Sequence, residues 1–475
     1  MSPATLKGKR GGSGKADDRK STPCPPPVGD KKREYMKSID KLKRLTGEDV
    51  ATNKPEQVQT APASPERQSQ LDELRRRIDN VVTRAASRSK AVQDDARSRG
   101  NQGLIEVLSG EEIENEHGRF FLASDVVHGG SSHGHRNIRE AFDFDMTAAG
   151  MLANNPIIGE YTSSDALFLD TETTGLAGGT GTMAFLIGLG WFEEGHFQVR
   201  QILARDFGEE KAALTHLKEI ASHKKFLVTF NGKAFDVNLL TTRFIMNRMQ
   251  SDLAGLPHLD LLHPSRRILG HRLENCRLVT LESDILGVKR EGDIPGWEIP
   301  QRYFDWLKRR DPRLLYDIFE HNRLDVISMA TLTAHLVEIL TAQAMTQYAH
   351  ADDYLAAARL LLKHADRAGT KKILDIFRED TCPEFSSQSN KKLAQLYKRT
   401  GRIAEAAHLW QQMAAGEPVE FYAISELAKY LEHLERDYPR AKTLIEQALA
   451  GNNIFSEVER ESLTHRLKRL NAKNL

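Results

Sequence analysis

The sequence predicts an α/β fold with a mixed sheet flanked by helices, followed by an all-helical domain and preceded by a disordered basic tail. Residues 165–342 show three successive strand patterns and then alternating helical and strand patterns, which is typical of a mixed sheet. Residues 345–475 show apolar side chains at helical spacing and no strand pattern. Residues 1–65 are rich in Lys, Gly, Ser and Pro, a composition that buries too little apolar surface to fold.

The charge of the N-terminal tail stands out against a nearly neutral chain. The 475 residues carry a formal net charge of +1, so any attraction for nucleic acid must come from local patches. Residues 1–45 form one such patch, with 13 Lys and Arg against 5 Asp and Glu. We predict that residues 1–100 are largely disordered, with one amphipathic helix at 66–86. The basic stretch is either an arm for nucleic acid or a solvated tail.

Hydropathy and cysteine usage predict a cytoplasmic protein. No apolar run reaches the ~20 residues that a membrane span needs, and the N-terminus has no apolar segment of the secretory kind. Cys24, Cys276 and Cys382 are far apart and odd in number, which argues against a disulfide framework. We therefore expect a reducing compartment and no membrane partner.

Residues 101–162 are predicted to extend the α/β domain at its N-terminal side. A turn at 115–118 precedes the strand-like segment 119–122. His128, His133 and His135 lie among glycines and serines, but no carboxylate or cysteine lies nearby at ligand spacing. A metal site at these histidines is therefore not expected.

The α/β domain itself is assigned to residues 163–342. The predicted strands are 166–170, 183–192, 197–204, 226–230 and 258–262. The predicted helices are 209–222, 235–249, 277–286, 300–309 and 312–340. The glycines of 175–181 imitate a dinucleotide fingerprint, but a strand pattern follows where that fingerprint needs a helix. We expect these glycines to let the backbone pass close to metal ions or substrate.

Residues 345–475 are predicted to form tetratricopeptide-like helical repeats. Leu393 and Leu427 begin similar Leu- and Ala-rich stretches and are 34 positions apart, the period of such a helix pair. The repeats either offer a surface for a protein partner or cap the α/β domain.

The chemistry centres on Asp170 and Glu172, which follow an apolar strand. In an extended strand, residues i and i+2 point to the same face, so the two carboxylates lie together. Like charges on a buried face repel, and a divalent cation relieves that repulsion. Carboxylate oxygens suit Mg²⁺ or Mn²⁺. The alternative is a strand end whose acids are simply solvated.

Two further motifs follow in order. Asp236 begins a helix just after strand 226–230, where a lone Asp is more often a helix cap. His321 and Asp325 are four residues apart on one helix face, where the alternative is a surface ion pair. Three such motifs on these successive elements favour one shared site.

The chain resembles the YprB-type RNase H-like family of the DEDD exonuclease superfamily. Three segments carry the resemblance: DTETTGLAGGTGTMAFLIGLG (170–190), TFNGKAFDVNLL (229–240) and EHNRLDVISM (320–329). The resemblance covers about residues 103–342, and tetratricopeptide-like helices after this domain also fit the family. It implies an RNase H-like fold and two Mg²⁺ or Mn²⁺ ions bound by four carboxylates, those of Asp170, Glu172, Asp236 and Asp325.

The resemblance also implies a reaction. We expect 3′–5′ exonucleolytic hydrolysis of single-stranded nucleic acid, with DNA favoured, and His321 as the group that orients or deprotonates water. Three residues separate His321 from Asp325. That is the spacing of the tyrosine branch of these exonucleases, so His321 stands where that branch has tyrosine. The alternative for His321 is a helix-face histidine without a chemical role.

Basic residues near these motifs are candidates for phosphate binding. Lys233 lies close to Asp236 in sequence. A cluster follows strand 258–262 and comprises Arg266, Arg267, Arg272 and Arg277, with Lys289 and Arg290 beyond it. Each of these is alternatively a plain surface charge. Trp297, Tyr303, Phe304 and Trp306 could stack on bases, but the helical spacing of Tyr303 and Trp306 favours packing.

Two rival functions stay open. The domain could be catalytically silent, acting as a nucleic-acid-binding or scaffold module through its helical repeats, but loss of a metal ligand would mark that case and all four acids are present. It could also cut internally, which the carboxylates do not distinguish. A helicase partner on the repeats would supply single-stranded ends.

Overall fold

The computed structural model describes residues 103–175, 181–342, 345, 350–377, 386–451 and 453–473. The basic tail, the helix predicted at 66–86 and most of the glycine-rich loop lie outside these residues.

The described residues form one seven-stranded sheet and one two-stranded sheet. The strands are β1 Gly110–Asn115, β2 Gly118–Val127, β3 Ser132–His133, β4 Arg136–Asn137, β5 Ala166–Thr173, β6 Ala184–Glu193, β7 His196–Leu203, β8 Phe226–Thr229 and β9 His258–Asp260. The large sheet has the order β1-β2-β7-β6-β5-β8-β9. Its β5–β8 and β8–β9 pairs are parallel and the others antiparallel, which confirms the mixed sheet.

The helices follow the predicted order closely. They are α1 Met146–Ala153, α2 Glu210–Ser222, α3 Asp236–Met246, α4 Leu262–Ile268, α5 Leu278–Leu281, α6 Ile299–Arg309, α7 Arg313–Thr341, α8 Ala351–Lys363, α9 Arg367–Ile376, α10 Ser387–Arg399, α11 Ile403–Ala415, α12 Phe421–Tyr430, α13 Tyr438–Ala450 and α14 Glu457–Lys473. Helix α4 was not predicted, because Pro264 argues against a helix in this segment. Proline is nevertheless tolerated in the first turn of a helix, where Pro264 lies. Strand β1 was also missed, since GEEIEN has a single large apolar residue, Ile113.

The two faces of the sheet belong to two hydrophobic cores, and α7 contributes to both of them. On one face, Phe168 of β5 and Val228 of β8 join a core that includes the apolar side of α7. On the other face, Leu167 and Leu169 of β5 join a core with α2, α3 and α6. Alternation along β5 therefore points every second side chain towards α7, which decides where Asp170 and Glu172 point.

Helix α7 is largely buried in the hydrophobic core. It is long and apolar enough to cross a membrane by length and composition, but 78% of its most apolar window is buried inside the protein. One continuous core runs from the sheet through α7 into α8–α14, from Phe168 to Leu470. The predicted C-terminal helical domain is confirmed, and it shares this core with the sheet.

The last helix is attached through a buried carboxylate. Glu432 lies in a π-helical turn, Leu431–Glu435, after α12, and its side chain is 0% exposed. It accepts hydrogen bonds from Arg466 and Arg469, each at 2.7 Å, and from Lys473 at 3.0 Å. All three donors lie on α14.

Replacing Glu432 with Gln should destabilise this attachment in a pH-dependent way. Burial raises the pKa of Glu432, but hydrogen bonds from Arg469 and Lys473 outweigh burial and hold the pKa at about 2, below the usual 4.5. The carboxylate therefore stabilises the fold above about pH 4.5, and this contribution is lost as pH falls towards 2. We expect Glu432→Gln to lower the free energy of unfolding by about 2 kcal/mol at pH 7. Urea titrations should show the difference shrinking at pH 3, and an equal difference at both pH values would contradict this assignment.

Candidate active site

The first two acids lie at the carboxyl end of β5 on the side that faces α7. Asp170 accepts a hydrogen bond on Oδ2 from the Asn322 Nδ2 of α7, at 2.8 Å. Glu172 Oε1 lies 3.9 Å from Nε2 of His321, the residue directly before Asn322 on α7. Asp170 and Glu172 therefore lie on the same face of β5, as alternation along the strand predicts.

Helix α7 can approach so closely because β6 carries glycine opposite it. Gly188 pairs with Asp170 across the β5–β6 ladder. A Cβ at Gly188 would lie 2.2 Å from Asn322 Oδ1. That oxygen accepts a 2.9 Å hydrogen bond from Gln201 Nε2, which fixes the amide so that its Nδ2 points at Asp170.

A methyl group at position 188 should disturb this arrangement. Because Gln201 holds Asn322 in place, Gly188→Ala must overpack the contact, and we expect it to lower the free energy of unfolding by about 1–3 kcal/mol. Chemical denaturation measures this. Gly296→Ala is the matched control, since a Cβ there meets nothing within 4 Å. Equal stability of the two variants would contradict the close approach.

The third acid, Asp236, is positioned by the turn between β8 and α3. Asp260, at the end of β9, accepts the backbone N–H of Asn231 at 2.7 Å and that of Lys233 at 3.1 Å. Asn231 has a positive φ of 67°, which this tight turn requires and Asn tolerates. Asp260 is 4% exposed, so the turn is anchored from inside. Asp236 then begins α3 beside β5, where Thr171 Oγ1 donates to its Oδ1.

The fourth acid and the histidine come from α7. His321 and Asp325 lie one turn apart, and Nε2 of His321 is 3.8 Å from Oδ2 of Asp325. The same Nε2 is 3.9 Å from Glu172, so both acids flank this ring nitrogen. Three separate segments of the chain thus bring four carboxylates and one imidazole to the edge of the sheet.

The other nitrogen of His321 is held by an acid that the sequence did not single out. Nδ1 of His321 lies 2.8 Å from Oδ1 of Asp293, in the segment between α5 and α6. Nη1 of Arg290 is further from Nδ1, at 3.3 Å. The shorter contact assigns the Nδ1 proton to a hydrogen bond with Asp293, which leaves the Nε2 lone pair facing Glu172 and Asp325.

Arg290 lies in the site as well, although the sequence predicted a different role for it. It was expected to extend a phosphate-binding cluster, but its side chain is 5% exposed and faces the acids. Its Nη2 donates to Glu282 and to Oδ1 of Asp325, and its Nη1 donates to Asp293 at 3.1 Å. Lys289, its neighbour, is exposed. In an extended segment neighbouring side chains point in opposite directions, and this is the one sequence signal that could have indicated that Lys289 and Arg290 differ in exposure.

The acids repel one another strongly. Burial, together with the charges of Asp325 and Asp236, raises the pKa of Asp170 well above its usual value. Burial and the same neighbours, with Asp170, raise the pKa of Glu172 likewise. Burial raises the pKa of Asp236 to about 6. Arg290 supplies one positive charge against this set, so the donor set fits divalent cations bound by oxygen.

The predicted phosphate-binding residues occupy different settings. Lys233, Arg266 and Arg267 are exposed, as phosphate contacts must be. Arg272 instead donates to Asp353 at 2.8 Å and 3.2 Å, and Asp353 is fully buried at the start of α8. The charge of Arg272 is therefore already paired at the junction between the sheet and the helical domain.

The N-terminal histidines do not converge. His133 Nε2 lies 2.7 Å from Ser328 Oγ of α7, and burial, followed by the charges of Arg290 and Arg323, lowers its pKa to about 4. His128 packs edge-on against His196 instead.

A different trio, His271, His350 and Asp352, lies close enough together to hold an ion. His350 Nδ1 caps α8 by accepting the N–H of Asp352 at 3.2 Å, and His271 Nε2 lies 3.4 Å from Oδ1 of Asp353. Ser389 and Lys392 donate to the Asp352 carboxylate at 2.7 Å and 3.3 Å. His350 and Asp352 therefore take part in contacts that begin α8 and join it to α10.

The aromatic side chains divide as their spacing predicted. Tyr303 is fully buried, stacks on Phe185 with ring centroids 3.9 Å apart, and donates to the Ala204 carbonyl at 3.1 Å. Trp306 is 1% exposed, whereas Trp297 is 69% exposed. Packing is therefore confirmed for Tyr303 and Trp306, whereas Trp297 and Phe304, which is 37% exposed, are accessible to a ligand.

Comparisons with known proteins agree with this geometry. The RNase H superfamily matches residues 167–337, which contain all four acids and His321. The uncharacterized protein YprB of Bacillus subtilis (strain 168) is 34% identical over 321 residues, covering 66% of this chain and 76% of that protein. The superfamily match supports a nuclease. The chain therefore belongs to the YprB-type family of RNase H-like proteins.

Proposed function

We propose that residues 163–342 form a divalent-metal-dependent nuclease that hydrolyses phosphodiester bonds, acting as a 3′–5′ exonuclease on single-stranded nucleic acid, with DNA favoured. The observation that carries the proposal is the convergence of Asp170, Glu172, Asp236 and Asp325 around a face where burial and mutual repulsion raise the pKa of Asp170 and Glu172. Keeping four acids in such a place is costly unless cations bind there. The same cost argues against a catalytically silent module.

The residues of the chain have distinct roles in this proposal. Asp170, Glu172 and Asp325 would hold two Mg²⁺ or Mn²⁺ ions, with Asp236 completing the set. When bound, the ions supply an activated water and neutralise charge on the cleaved phosphodiester. His321 would take a proton from the attacking water at Nε2, because its Nδ1 proton is held by Asp293.

The surface beside the acids suits a single strand. Phe235 directly precedes Asp236 and is 58% exposed, and Lys233 lies exposed on the same turn. An exposed aromatic ring provides a face on which an unpaired base can stack, and a lysine contacts phosphate. A base inside a duplex is stacked on its neighbours and offers no such free face, so this turn favours a single-stranded end.

Charge reversal at Arg266 and Arg267 tests the second part of the predicted surface. Both side chains are exposed on α4. If each contacts a phosphate, the double variant Arg266→Glu, Arg267→Glu should weaken binding and reduce the slope of log K against log salt by about 1–2. Fluorescence anisotropy at several salt concentrations measures this. Lys218→Glu on α2 is the control on the other side of the sheet, and equal slopes in both variants would remove α4 from the interface.

An end-label assay tests the function itself. Single-stranded and duplex DNA and RNA, labelled at the 5′ end, are incubated with Mg²⁺, Mn²⁺ or a chelator, with Asp170→Ala as control. We expect stepwise shortening from the 3′ end that needs the metal and is absent in the variant. Internal products would indicate an endonuclease. Binding without cleavage would favour the alternative, a binding or scaffold module whose helical repeats engage a protein partner such as a helicase.

A further inference from the structure

Arg290 has an unusual position for a basic residue beside a metal site. Its guanidinium is buried and donates to three carboxylates, those of Glu282, Asp293 and Asp325. Glu282 is itself 1% exposed, so this partner cannot turn out to solvent. Glu282 and Asp293 therefore hold the Arg290 guanidinium beside Asp325.

The backbone before Arg290 is equally fixed. Gly287 ends the π-helical turn Glu282–Leu286 with a φ of +71°, a conformation that favours glycine. A Cβ there would lie 2.0 Å from Nε2 of His135. The chain therefore reverses at one defined point and returns Arg290 towards Glu282.

The contact with Arg290 limits what Asp325 can offer to a cation. Arg290 occupies Oδ1 of Asp325, and Oδ2 is the oxygen on the side of His321. Asp170 is restrained in the same way, since Asn322 occupies its Oδ2 and Gln201 holds Asn322. Each of these two carboxylates is therefore held by a donor on one oxygen.

One-oxygen ligation distinguishes between divalent ions. Ca²⁺ takes six to eight oxygen ligands at about 2.3–2.6 Å and commonly uses both oxygens of a carboxylate. Mg²⁺ takes six at about 2.0–2.1 Å, keeps several waters and needs one oxygen from each acid. Resting on the proposed metal site, we propose that Arg290 is a positioning residue that holds Asp325 to one-oxygen ligation and so makes the site select Mg²⁺ and Mn²⁺ over Ca²⁺.

Calorimetric titration of the metal-free, full-length protein with Mn²⁺ and with Ca²⁺ tests this selection without using activity. The main variant is Arg290→Met with Glu282→Gln, which removes a buried pair of opposite charges together. Mn²⁺ and Ca²⁺ carry the same charge, so any change of electrostatic potential at the site shifts their binding alike, and the ratio of the two Kd values isolates the geometric effect. We expect the preference for Mn²⁺ to fall about tenfold, the size of effect that partners of metal ligands produce.

Two more variants complete the test. Arg290→Lys keeps the charge but lacks the planar fork that holds several carboxylates, so the preference for Mn²⁺ over Ca²⁺ should fall by less than in the double variant. If the double variant does not fold, Arg290→Lys replaces it in the test. Lys289→Met is the control, since it removes an exposed positive charge next door and should leave the ratio unchanged. An unchanged ratio in the folded Arg290 variants overturns this inference alone. Absence of divalent binding in the unaltered protein overturns the proposed function with it.

Discussion

Replacing Asp170 with Asn should abolish cleavage while leaving the metal-free protein as stable as before, or more stable. The side chain keeps its shape and can still accept the hydrogen bond of Asn322. It loses the charge that repels Asp325 and Asp236, so no stability is lost with it. A missing metal ligand removes several kcal/mol of charge stabilisation in the transition state, so we expect turnover to fall at least about 10³-fold.

Single-turnover cleavage and thermal unfolding in chelator measure these two effects. Both measurements are needed, because replacing a residue with a purely structural role would lower the stability and the activity of the protein together. A variant with full activity, or one whose loss of activity follows from unfolding, would contradict the assignment of Asp170 as a metal ligand.

Removal of the His321 imidazole should lower turnover by about 10²–10⁴-fold with substrate affinity nearly unchanged, as expected for loss of a general base. Asp293→Asn should lower turnover by a smaller factor, about 10–100-fold, because it acts by holding the ring through Nδ1. Binding to uncleaved substrate in Ca²⁺ or chelator, together with single-turnover rates, separates the two quantities.

The double variant decides whether the two residues act as one unit. If Asp293 works only through His321, then adding Asp293→Asn to His321→Ala should cause no further loss. Losses that multiply would show that Asp293 acts separately. Unchanged turnover in His321→Ala would remove the histidine from the mechanism and leave it as a residue of the helix face.

The parts of the fold that could be predicted are those with a strong local pattern. The apolar run into Asp170 and the periodicity of α7 specify a buried strand and a buried helix, and both lie where expected. The shared face of Asp170 and Glu172 follows from alternation along a strand, and that of His321 and Asp325 from one helical turn. The resemblance in three segments then placed these pairs in one site.

The rest of the site depends on contacts between distant segments. Arg290 and Asp293 lie between α5 and α6, where no periodicity shows which side chains turn inwards. The role of Asn322 depends on Gly188 and Gln201, more than 100 positions away along the chain. Arg272 was predicted to bind phosphate because it belongs to a cluster of basic residues in the sequence. Its buried partner, Asp353, lies on α8, and the sequence alone does not show that the two side chains meet.

Anomalous diffraction from crystals soaked in Mn²⁺ tests most directly whether these four carboxylates form a two-metal site. We predict two peaks about 3.5–4 Å apart, the separation of two-metal nuclease centres, lying among Asp170, Glu172, Asp236 and Asp325. Both peaks should be lost or weakened in Asp170→Ala. No Mn²⁺ at these carboxylates in well-occupied crystals, with the unaltered protein folded, would contradict this prediction.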